Sequence, residues 1–151
     1  MFDVVELTNQ PQDVVDAISF FEKVDTNFEV PVSLKVDIAG MVNKLLNYGK
    51  ILAIYHDGNI VSALGFYCND DITHIAHISI LATEPMFYGK GLAKKVMTEG
   101  MLICKDEGMS AIRVDTVNSA AKQLYCSLGF TEMRVECENN IKKTFLQYYI
   151  I

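Results

Sequence analysis

Hydrophobic and polar positions change period several times along this chain. Residues 2–7 are rich in apolar and β-branched side chains and predict a short first strand. Pro11 suits the first turn of a helix, in which Val14, Val15, Ile18, Phe21 and Val24 recur at helical spacing. Residues 25–35 carry mixed signals and read as loop. Asp37 can cap a second helix with Ile38, Met41, Val42, Leu45 and Leu46 on one face, and Gly49 is a natural stop. Residues 51–56 lead through the turn dipeptide Asp57-Gly58 into residues 60–68, a hairpin pattern. Residues 73–83 form a third run, apolar on both faces, which predicts a central strand.

The second half returns to the helical period. Leu92, Ala93, Val96, Met97, Gly100, Ile103 and Cys104 share one broad face over residues 91–105, and Gly108 ends the pattern. Residues 111–116 predict a short strand. Asn118 caps a helix that Gly129 stops. Residues 130–136 and 143–151 predict a last hairpin across Glu138-Asn139-Asn140. The order β-α-α-β-β-β-α-β-α-β-β predicts a mixed α/β (α+β) fold in one domain, residues 1–151. Its sheet is mostly antiparallel, flanked by helices, with one parallel βαβ crossover.

Composition narrows the function. A chain of 151 residues, 50% hydrophobic and 21% charged, suits one well-cored domain. A formal charge of −6 disfavours nucleic acid and membrane surfaces as partners, because both need clustered basic side chains. Only Lys90, Lys94 and Lys95 make a local cationic run. The longest apolar run, residues 60–68, is strand length, and the N-terminus is acidic where a signal peptide is basic. A cytoplasmic protein is therefore expected. Cys68, Cys104, Cys126 and Cys137 show no CxxC pair and are expected as reduced thiols in or near the core. His74 and His77 point to opposite faces of a strand, so no metal site is expected. The C-terminal run from Leu146 to Ile151 is apolar for a strand edge, which suggests a cover by a second copy, as in a homodimer, or by the chain itself.

The most informative segment is the turn Tyr88-Gly89-Lys90-Gly91-Leu92-Ala93 between a central strand and a helix. Two glycines permit a tight turn. The first amides of the following helix lack internal partners and carry partial positive charge, which suits a pyrophosphate. Alone, the same glycines are explained by turn geometry. The P-loop pattern GxxxxGK[ST] is absent. A dinucleotide fingerprint fits at Gly89 and Gly91, with Asp115 as the ribose acid, but Lys94 occupies the third glycine position.

The turn resembles the [QR]xxGx[GA] signature of the GNAT family of N-acetyltransferases. Gly91 and Ala93 match, while Tyr88 replaces the usual Gln or Arg. The run Asn118-Ser-Ala-Ala121-Lys-Gln-Leu124-Tyr125-Cys-Ser-Leu-Gly129-Phe130 is similar to the family's NxxAxxLYxxxGF pattern at every named position. The element order also resembles the family's.

That resemblance implies acetyl transfer from acetyl-CoA, a co-substrate needing no metal, to a primary amine of a small molecule. It implies a pyrophosphate on the amides of Tyr88, Gly89, Lys90, Gly91, Leu92 and Ala93. It also implies a pantetheine arm along Leu81 and Thr83, with Asn118 near the cofactor. Tyr125 is the expected proton donor to the departing thiolate, since a phenol's pKa suits that task. His77 is a candidate base: strict alternation gives it the face of Ser79, Leu81 and Thr83. A packed strand histidine is the competing reading, and Glu84 could act through water. Tyr67, Asn69, Asp70 and Asp71 are candidates to hold the acceptor, or simply form a turn. The acidic balance favours a cationic acceptor. Two further classes remain: a non-catalytic acyl-CoA-binding module, and a dinucleotide-binding protein.

Overall fold

The structure, a computed structural model, describes residues 2–151. Its elements follow the predicted order: β1 (Val4–Glu6), α1 (Pro11–Val24), α2 (Ile38–Tyr48), β2 (Lys50–His56), β3 (Asn59–Tyr67), β4 (Ile75–Thr83), α3 (Leu92–Asp106), β5 (Ala111–Thr116), α4 (Ser119–Ser127), β6 (Thr131–Glu138) and β7 (Ile141–Tyr149). Short 3₁₀ turns at Asp25–Asn27, Val32–Leu34 and Pro85–Phe87 fall in segments read as loop or turn.

The local signals act as chemistry requires. Pro11 opens α1, and the Asp37 carboxylate caps α2 by accepting from the Gly40 amide at 2.9 Å. Asp57 and Gly58 both adopt positive φ, as do Asn139 and Asn140, so each pair closes a two-residue hairpin.

The seven strands form one sheet in the order β1-β2-β3-β4-β5-β7-β6. Every ladder is antiparallel except β4–β5, the product of the crossover through α3. β4 is central, as its double-sided apolar pattern predicts. Two apolar layers cover the sheet. Phe20, Phe21, Val42 and Leu45 of α1 and α2 pack with Ile51, Ala53, Ala63 and Ile80 on one face. Val96, Met97, Cys104 and Tyr125 of α3 and α4 pack with Leu64, Phe66, Ile112 and Leu146 on the other.

β7 lies between β5 and β6, so the C-terminal strand is paired along both edges within the chain and is not a sheet edge, while Tyr149 and Ile151 of the apolar run stay exposed. The edge on that side of the sheet is β6, exposed along its length. Cys68 and Cys104 are buried, but Cys126 and Cys137 are exposed, which corrects the expectation for half of the thiols. Cys126 faces out because α4 buries only the stripe carrying Tyr125. Among the described residues, no helix is long and apolar enough to cross a membrane.

Candidate active site

Among the described residues, the only parallel ladder is short. Ile75, Ala76 and His77 pair with Ala111, Ile112 and Arg113, and then the strands part. The cause lies on the other side of β4. Phe66 pairs with Ile78 but Gly65 pairs with Ile80, so Ser79 is an inserted residue, a β-bulge. A bulge bends its strand and sharpens its twist. Beyond it, β4 runs on to Thr83 and β5 to Thr116 with no strand between them.

The gap is a cleft of about 700 Å³, a size suited to a cofactor-sized ligand. Residues 78–83 form one wall, and Val114 to Asn118 with Leu124 and Tyr125 form the other. On the α1 side it is closed by Val24, Phe28, Val30 and Val32, from the connection between α1 and α2. Asp25 clips that connection, accepting from the Ser33 hydroxyl and, at 3.1 Å, from the Ser33 amide. These bonds hold the Asp25 carboxyl below its usual range, with burial opposing them. No motif pointed to this segment. Its one signal was a cluster of apolar residues, Phe28, Val30 and Val32, in a stretch with neither period.

At the far end of the cleft lies the glycine turn. Gly89 and Gly91 have φ of 78° and 76°, a region that side-chain-bearing residues enter at a cost. Gly91 is the N-cap of α3 and offers no side chain to its first amides. Among the described residues, the amides of residues 89–94 have no backbone or side-chain partner. Tyr88 differs: its amide donates to the Pro85 carbonyl at 3.1 Å, so it is taken up within the turn. Tyr88, Gly89, Gly91, Leu92, Ala93 and Lys94 line the cleft, while Lys90 stands outside it. Leu81, Thr83 and Asn118 also line it.

Tyr125 reaches the cleft from α4. The Asn118 side chain caps that helix, accepting from the Ala121 amide at 2.9 Å. The Asn118 amide donates to the Thr116 hydroxyl at 3.0 Å, which ties the helix start to the end of β5. The Tyr125 ring is 4% exposed and packs against Phe130 with centroids 5.6 Å apart. Its hydroxyl forms no hydrogen bond within the described residues. Burial, and after it the Asp115 carboxylate, push the phenol above the usual tyrosine range. It therefore holds its proton throughout the neutral range.

His77 does not line this cleft. The bulge at Ser79 breaks the alternation, so Leu81 follows Ile78 on the α3 face. His77 pairs with Tyr67, which packs on the α1 and α2 side. His77 thus lies on the face opposite Leu81, against the expected alternation, and opens into a second cavity of about 390 Å³ with Arg113 and Arg134. The two cavities share Ile78, Val114 and Asp115. Glu84 is engaged by Lys23 at 2.8 Å. Asp70 accepts from the amides of Ile72 and Thr73, and Asn69 donates to the Tyr48 carbonyl. Those residues form a turn and line neither cavity. Among the described residues, no group of three or more His, Cys, Asp or Glu could hold a metal ion.

Sequence comparison supplies the deciding observation: residues 47–132 match the profile of the GNAT acetyltransferase domain. The chain belongs to the GNAT acetyltransferase family. Its matched segment runs from the end of α2 into β6 and carries both the glycine turn and Tyr125. No curated sequence gives a significant match. Solved structures share the fold. A GNAT-family protein from Desulfovibrio desulfuricans superposes with a TM-score of 0.81 at 15% identity, covering 99% of each chain. A GNAT acetyltransferase from Streptococcus pneumoniae gives 0.79 at 16% identity, covering 98% of this chain and 99% of its own. Ribosomal-protein-alanine N-acetyltransferase from Brucella melitensis gives 0.79 at 14% identity, covering 97% and 99%. The GNAT family generally uses acetyl-CoA, and the cleft fits that group. Unpartnered amides at a helix start suit its pyrophosphate, and an open strand edge suits its amide-bearing arm.

Proposed function

We propose that this GNAT protein transfers an acetyl group from acetyl-CoA to a primary amine of a small molecule, by direct attack in a ternary complex. The observation that carries this is one cleft, opened by the parting of β4 and β5. It holds unpartnered amides at one end and Tyr125 on its wall.

Acetyl-CoA supplies a thioester whose carbonyl carbon accepts the amine and whose thiolate departs. The amides of Gly89, Gly91, Leu92 and Ala93 bind the pyrophosphate, with the Lys94 ammonium beside them. Tyr88 contributes cleft wall rather than an amide, because its N–H is used by Pro85. The backbone of Leu81 and Thr83 holds the arm as an added strand, and an amide there steadies the thioester oxygen as charge develops. Asn118 fixes α4, and so fixes Tyr125. The Tyr125 hydroxyl gives its proton to the leaving sulfur. The apolar wall of Val24, Phe28 and Val30 excludes water from the acceptor side. We assign loss of the amine's proton to solvent rather than to His77, which lies off the cleft. Holding both reactants in one cleft supplies much of the acceleration.

Thermal unfolding with and without acetyl-CoA tests the reading, with NADH as control. A ligand that binds only the folded state adds about 2.7 kcal/mol at roughly a hundred times its dissociation constant. A rise with acetyl-CoA alone, followed by amine-dependent thiol release, is the expected result. A rise without thiol release for any amine favours a non-catalytic acyl-CoA-binding module. No rise with saturating acetyl-CoA overturns the proposal.

A further inference from the structure

The second cavity lies on the sheet face that α1 and α2 leave open. Ile112 and Val114 of β5 point into the core against α3, so Arg113 and Asp115 between them point to the open face. Arg113 pairs with His77 on β4 and with Gln147 on β7. Its Nε donates to the Gln147 side-chain oxygen at 2.8 Å, and Gln147 is only 7% exposed. A buried amide thus aims the guanidinium, while its outer nitrogens make no bond within the described residues. Arg134 is otherwise engaged: its Nε donates to the Glu136 carboxylate at 3.0 Å and its guanidinium stacks on Phe145.

Asp115 stands two residues beyond Arg113 on the same face and lines both cavities. It forms no ion pair or hydrogen bond within the described residues. One aimed cation and one free carboxylate therefore rise from Cα positions about 6.6 Å apart on the same face of one strand, and Asp115 is the one of the two that also lines the thioester cleft.

We propose that the second cavity is the anion subsite of the acceptor, and that the acceptor is an amine carrying a carboxylate, as in an amino acid. The proposal rests on the acetyltransferase reading above. The Arg113 fork takes the carboxylate in two parallel hydrogen bonds, with the His77 ring beside it. Asp115 draws the ammonium end to the mouth of the cleft. A carboxylate suits the site better than a phosphate, because a dianion meets only one unengaged guanidinium and is repelled by Asp115.

The test measures kcat/KM for the proteinogenic amino acids and for the same compounds as carboxamides, with phosphoethanolamine as the phosphate arm. Thermal shifts by the same compounds over CoA give a readout independent of turnover. Amino acids are expected to exceed their carboxamides by about ten- to a hundredfold, the worth of a charge-assisted pair. Arg113→Gln is expected to erase that ratio by raising KM for the amino acid, and Arg113→Lys to restore part of it. A folding defect lowers both acceptor sets together and leaves the ratio intact, so the ratio reports the subsite alone. Carboxamides matching or exceeding amino acids overturn the proposal, as does a ratio that survives in Arg113→Gln. Preference for phosphoethanolamine replaces the carboxylate with a phosphate and overturns it as stated. If acetyl-CoA raises the midpoint but no amino acid adds a shift or accepts the acetyl group, the subsite falls while the cofactor reading stands. If acetyl-CoA itself gives no rise, both fall.

Discussion

His77 and Arg113 are the last paired residues of the parallel β4–β5 ladder, and beyond them β4 and β5 separate. That single register position divides the sheet's open end into two cavities. Above it lies the cleft with the glycine turn and Tyr125; beside it lies the pocket that His77 and Arg113 share.

Tyr125→Phe keeps the ring packed on Phe130 and removes only the hydroxyl. If that hydroxyl protonates the leaving sulfur, kcat falls about 10²- to 10⁴-fold, the usual worth of a positioned acid. Acetyl-CoA affinity by calorimetry stays within error of the parent. An unchanged kcat removes the donor role.

Gly91→Ala forces a side-chain-bearing residue to a φ of 76°. A Cβ there meets open space, so the cost is conformational, about 1–2 kcal/mol. The turn is expected to relax and turn its amides off the cleft. Acetyl-CoA binding therefore weakens more than the lowered unfolding midpoint accounts for. Calorimetry and thermal unfolding on the same preparation separate the two effects, and unchanged affinity argues against amide binding.

Asn118→Ala removes the cap of α4, leaving the Ala121 amide without its partner. The expected loss is about 0.5–2 kcal/mol. That corresponds to a midpoint lowered by a few degrees, at about 2–4 °C per kcal/mol for a chain this long. Because α4 carries Tyr125, kcat should fall while KM for acetyl-CoA changes less. Asn118→Ser or Asn118→Asp, which can still cap, should recover both properties.

Alkaline pH should weaken the fold. A tyrosine in the unfolded chain ionises near its ordinary pKa of 10.0, whereas burial and Asp115 push Tyr125 above it in the folded protein. Tyr55 is raised too, by burial and by Asp16, whose carboxylate accepts its hydroxyl at 2.8 Å. Above pH 10 the unfolded state has lost protons that the folded state keeps, so stability falls as pH rises. Urea midpoints from about pH 8 to about pH 11 should drop at the alkaline end. Tyr125→Phe should shallow that drop without abolishing it. The same slope in parent and variant would contradict the raised phenol.

The element order was legible because its signals are local. Pro11, Asp37, Asp57-Gly58, Asn118 and Gly129 act on their own neighbours, and the apolar periods say which face of each element is buried. The free amides of the glycine turn were legible for the same reason: unpaired amides at a helix start follow from the chain's local course. Tyr125 was reached through the LYxxxGF run, and only the structure sets it on the wall of the cleft with its hydroxyl unpartnered.

The sequence by itself determined which segments fold, in what order, and where a helix start leaves its amides unpaired, because caps, turns and hydrophobic periods act over a few residues. Tertiary structure decided which strands part and what their parting exposes. The bulge at Ser79 arises from the register between β3 and β4, which no local pattern encodes, and it turned His77 away from the face that alternation predicts. Pairing across the sheet also placed β7 inside rather than at the edge and brought Arg113 beside His77 and Gln147. Such neighbours depend on contacts between residues far apart in the chain, and these form only when the whole sheet assembles.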